Sequence, residues 1–90
     1  MNLRDALFNW LQISIVAEAR PEDKATAETA DFFEVILRED HRLTEFQVSK
    51  DETMYRIRYT GEDGAKLIMF DRESAEQPLA DINSNPKYNE

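Results

Sequence analysis

Apolar residues at positions 3, 7, 10, 11 and 15 recur at steps of three and four, so the spacing predicts a helix over residues 3–19. Asn2 is placed to cap it, and Asp5 falls in the first turn, where the helix dipole favours negative charge. Phe8, Ile13 and Val16 widen the apolar arc beyond one stripe, which predicts burial on more than one side. Because Leu11, Ile13 and Ile15 also alternate, a strand over residues 11–16 is the competing reading. Pro21 suits a first helical position, and residues 21–39 carry the cleanest period in the chain. Ala25, Thr29, Phe32, Phe33 and Ile36 fall on one face with Leu37 at its edge. Lys24, Glu28, Asp31, Glu34 and Arg38 fall on the other, and Glu34 and Arg38 form an i,i+4 pair.

Beyond His41 the period changes from helix to strand. Residues 44–50 alternate, with Phe46 and Val48 against Glu45, Gln47 and Ser49. Residues 53–60 alternate too, with Tyr55, Ile57 and Tyr59 against Met54, Arg56 and Arg58, whereas residues 65–71 are apolar on both sides. The breaks, Asp51-Glu52 and the stretch from Gly61 to Gly64, are hairpin-sized. A two-residue loop at Asp51-Glu52 would pair Val48 with Tyr55 and Phe46 with Ile57. A two-residue loop at Glu62-Asp63 or at Asp63-Gly64 keeps Ile57 on the side of Ile68 and Phe70. One face is then Phe46, Val48, Tyr55, Ile57, Tyr59, Ile68 and Phe70, a core face. The other is Glu45, Gln47, Met54, Arg56, Arg58, Leu67 and Met69, a mixed face. A third helix is expected to begin near Ser74, which with Gln77 resembles a capping box, or near Gln77 with Pro78 at its first position. Leu79 and Ile82 are its core residues.

The expected fold is α+β in the order α-α-β-β-β-α: a three-stranded antiparallel meander covered on one face by helices. Residues 1–82 form a single domain and 83–90 a polar tail in which Tyr88 is the residue able to dock.

Composition narrows the function. Ninety residues allow one core. The absence of cysteine removes disulfides, thiolate nucleophiles and cysteine-ligated metals, and fits a reducing compartment. A net charge of −8 opposes nucleic acid and anionic membranes, both of which require clustered Lys and Arg. The N-terminal stretch does not read as a targeting signal, since Arg4 is followed by Asp5 and Asn9, Gln12 and Ser14 interrupt the apolar residues. The run Leu67 to Phe70 is far too short to span a membrane. A cytoplasmic protein is expected.

Candidate chemistry is sparse. His41 stands alone at a helix end, where positive charge suits the dipole, and a single histidine without cysteine makes no ordinary zinc site. The acidic pairs Glu39-Asp40, Asp51-Glu52 and Glu62-Asp63 read as turn residues and lack the spacing of a calcium loop. No glycine-rich phosphate loop is present. Trp10 reads as core. Arg56 and Arg58 point the same way from the central strand, a pair suited to a carboxylate or phosphate. Their alternative role is cross-strand pairing with Glu45 and Gln47.

From residue 22 onward the order helix–strand–strand–strand–helix is similar to that of the double-stranded RNA-binding domain. That family grips phosphates with a lysine-rich cluster at the start of its last helix. The matching segment here, residues 71–77, has Asp71, Glu73 and Glu76 against Arg72 and is net acidic, which argues against RNA binding.

The sequence therefore leads to a non-enzymatic acidic module without cofactor or metal, acting through protein contact and forming a homodimer, its protein partner otherwise unknown. Ile13 and Val16 on the spare side of the first helix, and Met54, Leu67 and Met69 on the mixed sheet face, are the expected interface residues. The alternative is a binder of small anionic ligands using Arg56 and Arg58 on the open sheet face.

Overall fold

The computed structural model describes residues 2–84. Helix α1 spans Leu3–Ala19, and the Asn2 side chain accepts a hydrogen bond from the Asp5 N–H at 2.8 Å. The strand alternative for residues 11–16 does not occur. Ala6, Leu7 and Leu11 are all fully buried on one side of the helix, whereas in a strand the neighbours Ala6 and Leu7 would face opposite ways.

Helix α2, Lys24–Val35, begins three residues later than Pro21 suggests. Asp23 is its cap, accepting from the Thr26 N–H at 3.2 Å. A carboxylate satisfies an orphan N–H of the first turn, which proline cannot do. The buried face also differs from the expected stripe. Thr26, Ala30 and Phe33 are half-buried and Leu37 is fully buried, whereas Ala25 and Thr29 are exposed and Phe32 is 62% exposed. The stripe is rotated by about one residue. The helix ends in a π-helical turn, Ile36–Asp40, in which the His41 N–H reaches the Ile36 carbonyl at 3.3 Å and the Leu43 N–H the Leu37 carbonyl at 3.0 Å. Arg42 takes φ 56° and reverses the chain, so that Leu37 and Leu43 join one core.

Strands β1 (Glu45–Lys50), β2 (Met54–Gly61) and β3 (Gly64–Asp71) form an antiparallel meander in the order β1-β2-β3. In the first hairpin Val48 faces Ile57 and Phe46 faces Tyr59, a register two residues away from the expected one. The turn is centred on Glu52-Thr53, because the Asp51 carboxylate accepts from the N–H groups of Thr53 (2.9 Å) and Met54 (2.8 Å) and holds the chain one residue further on. A shift of two leaves every side chain on its face. The second hairpin uses Glu62-Asp63, with Gly61 opposite Gly64 and Ile57 opposite Ile68. Gly64 adopts φ 101°, a conformation that side chains disfavour.

Helix α3, Arg72–Ser84, follows β3 directly, so Asn83 and Ser84 belong to it and not to a tail. Its cap is Asp71, accepting from the Ser74 N–H at 3.0 Å, rather than Ser74 or Gln77. Pro78 consequently lies inside the helix. It has no N–H to give to the Ser74 carbonyl, and the Gln12 side-chain amide of α1 donates to that carbonyl instead, at 3.2 Å. Tyr88 lies outside the described residues.

The protein is thus α+β, as expected. Helix α1 packs against both α2 and α3 and lies on the core face of the sheet. Ala6, Leu7, Leu11, Leu37, Leu43, Tyr55, Ile57, Phe70 and Ala75 form one buried cluster. Phe8 meets Phe70 (ring centroids 5.0 Å apart), and Trp10 meets Phe46 edge-on at 4.9 Å.

Candidate interaction surface

All the buried sheet residues lie on one face, so the opposite face of the meander is open among the described residues. Leu67 there is 52% exposed, Met69 41%, and Met54 is half-buried. Cross-strand neighbours run Gln47, Arg58, Leu67 in one row and Ser49, Arg56, Met69 in the next. Val16 was expected to share in an external surface, but it is only 3% exposed and already covered within the chain. Ile13 is half-buried. Helix α1 runs between two other helices, which takes up the wide apolar arc that looked spare.

The two arginines differ in their circumstances. Arg56 pairs with Asp51 across 2.6 Å, while Arg58 stands exposed opposite Gln47. The expected pairing with Glu45 does not form, because the two-residue register shift places Glu45 opposite Thr60. The N–H groups of Thr53 and Met54, then Arg56, hold the Asp51 carboxyl below its ordinary range.

On the core side, β2 and α3 are tied by a polar cluster. The Tyr55 hydroxyl donates to Glu76 Oε2 at 2.7 Å, and Arg72 donates to the same oxygen from Nε (3.2 Å) and Nη2 (3.0 Å). Arg72 Nη1 also donates to the Asp51 carbonyl at 2.9 Å. Burial, then the Glu76 contact, pushes the Tyr55 phenol up to about 12; the Tyr55 hydrogen bond, followed by Arg72, holds Glu76 below its usual range. A carboxylate kept ionised with three donors on one oxygen is poorly disposed to take a proton from a substrate. This cluster borders a groove of about 630 Å³ between α1, the end of β1 and α3, lined also by Trp10, Ile15, Glu18 and Lys50. Arg56 and Arg58 do not line it.

His41 sits half-buried at the end of the π-helical turn beside a small hollow of about 140 Å³ with Leu3, Tyr59 and Lys66. Among the described residues no group of three or more His, Cys, Asp or Glu side chains is placed to hold a metal ion. Also among them, no helix is long and apolar enough to cross a membrane.

Sequence reasoning missed a second exposed apolar patch, Phe32 and Val35 (48% exposed) on the outer side of α2. Its signal was present in the order Phe32-Phe33. Adjacent helix positions diverge by about 100°, so both rings cannot sit in the middle of one buried stripe. No family model, curated protein sequence or solved structure matches this chain.

Proposed function

We propose that the chain is a small, acidic, non-enzymatic interaction module of the cytoplasm, that its working form is a homodimer, and that contact is made through the β3 side of the open sheet. The observation that carries this reading is the exposure of Leu67 and Met69 on a face that no helix covers among the described residues. Contiguous apolar side chains left in water mark contact surfaces, and two-fold pairing is the commonest way to cover them. The absence of cysteine supports a reducing compartment. The anionic-ligand alternative is weakened by Arg56, whose guanidinium is engaged by Asp51 and leaves Arg58 as the exposed member of the pair.

Light scattering during size exclusion over a range of micromolar concentrations tests the reading. A mass near twice 10.5 kDa is expected, falling to the single-chain value in Leu67→Glu. A single-chain mass for the unmodified protein at every concentration refutes it.

A further inference from the structure

The hydrogen-bond parity of the ladder identifies the main-chain groups that each sheet edge offers. The Arg72 N–H bonds to the Thr53 carbonyl at 2.9 Å, and in this register the bonded pairs continue as Tyr55 with Phe70, Ile57 with Ile68 and Tyr59 with Lys66. The N–H and C=O groups of Ala65, Leu67 and Met69 therefore point away from β2, along the outer edge of the sheet. These are also residues whose side chains stand on the open face. Among the described residues, the outer edge of β3 carries unpaired backbone and exposed apolar side chains together. An edge of that kind is a template for another strand.

The opposite edge differs. The Asp51 N–H bonds to the Met54 carbonyl at 2.9 Å, which turns the free groups of Phe46, Val48 and Lys50 outward. Of these, Val48 is 40% exposed and faces the groove beside α1 and α3, and the open-face side chains of β1, Glu45, Gln47 and Ser49, are all polar. The α2 patch has no unpaired backbone, and its Phe32 and Val35 lie among Glu28, Asp31 and Glu39, so a two-fold contact there would oppose acids.

We propose that a second copy of this chain pairs antiparallel along the free edge of β3, with Ile68 opposite its own mate at the two-fold axis, joining two three-stranded sheets into one of six strands. This rests on the self-association reading above and gives it a surface and a register. Segment 64–71 carries one lysine and one aspartate and is neutral within a chain of net charge −8, so the edges meet without local repulsion. Side-chain chemistry selects the register. With Ile68 at the axis, Leu67 faces Met69 of the second copy, Met69 faces Leu67, and Lys66 faces Phe70. Centred one residue earlier, the pairing opposes Asp63 to Asp71. Centred one residue later, it sets Leu67 against Asp71.

Because the chain has no cysteine, single introduced cysteines report the register directly. Residues facing each other in a non-hydrogen-bonded antiparallel pair have Cα atoms about 4.5 Å apart, within disulfide reach. Ile68→Cys is expected to give a disulfide-linked dimer under mild oxidation. Lys66→Cys, whose mate lies four residues along at about 13 Å, and Val48→Cys, on the other edge, are expected to stay single. If Ile68→Cys is found misfolded by circular dichroism, Leu67→Pro replaces it. That variant removes an outward N–H without breaking a ladder bond within the chain, and is expected to weaken dimerisation at least tenfold. Cross-linking of Lys66→Cys or Val48→Cys as fast as Ile68→Cys overturns the register. So does a wild-type dimer that Ile68→Cys fails to trap or that Leu67→Pro leaves unweakened, and in either case self-association itself stands. A wild type that is monomeric at every concentration removes both.

Discussion

Pro78 inside α3 gives an unusually clean test of how two helices are joined. In a regular helix the residue at position 78 would donate its N–H to the Ser74 carbonyl, and proline has none to give. Gln12 of α1 supplies that donor at 3.2 Å. Gln12→Ala should therefore leave the Ser74 carbonyl to water or unpaired. A net hydrogen bond is worth about 0.5–1.5 kcal/mol. Ser74 is exposed, and hydration recovers part of this, which places the loss toward the lower end of that range. Pro78→Ala restores the backbone donor, and the Gln12 contact then becomes redundant. The double variant should consequently cost almost nothing relative to Pro78→Ala alone, giving a coupling energy close to the whole effect of Gln12→Ala. Urea titration resolves this. With a slope of about 1 kcal/mol per molar, a loss of about 0.7 kcal/mol moves the midpoint by about 0.7 M. If Gln12→Ala costs the same with and without Pro78, the amide is not replacing the missing donor and the account of the α1–α3 contact is wrong.

Two further outcomes follow from burial and from the polar cluster. Ile57 is fully buried at mid-strand, so Ile57→Ala should cost about 2–5 kcal/mol, whereas exposed Arg58→Ala should stay within about 0.5 kcal/mol; denaturant midpoints for the two variants check this, and a larger loss for Arg58→Ala would mean the sheet faces are reversed. Burial, then Glu76, raises Tyr55 from 10.0 to about 12, so the folded state holds the phenolic proton more tightly than the unfolded chain does. That contribution is fully present below pH 10 and is lost as pH rises from about 10 to about 12. Tyr55→Phe should flatten the alkaline fall in stability over this window, and an unchanged fall relative to wild type would show that Tyr55 does not titrate late.

Whatever depends on period and on local bonding is legible in the sequence. Alternation assigned Tyr55, Ile57 and Phe70 to the core face and Arg58 and Leu67 to the other. Those assignments survive a register error of two residues in the first hairpin, because strand side chains repeat every two. Asn2 capped α1 and Glu34 paired with Arg38 at 3.2 Å as their spacing alone requires. The absence of a cysteine or glycine-rich motif is equally a property of the sequence.

The rest depends on packing. Whether Asp23 or Pro21 begins α2, and whether Asp71 or Ser74 begins α3, depends on competing caps that each satisfy local rules, and the winner is set by where the chain must enter the packed helix. The one-residue rotation of α2 is a choice between two overlapping helical stripes. Thr26, Ala30, Phe33 and Leu37 are as regularly spaced as the expected stripe, and packing against α1 selects them, with Leu37 beside Leu43 in the core and Phe32 outside. Val16 is spare on a helix with one neighbour, but α1 lies between two helices, and both sides of its apolar arc are used. Arg56 was lost as a free cation because the turn aspartate that fixes the first hairpin also lies within its reach. The edge of β3 emerged only when hydrogen-bond parity was known, since sequence alternation tells which way side chains point and not which residues turn their backbone outward.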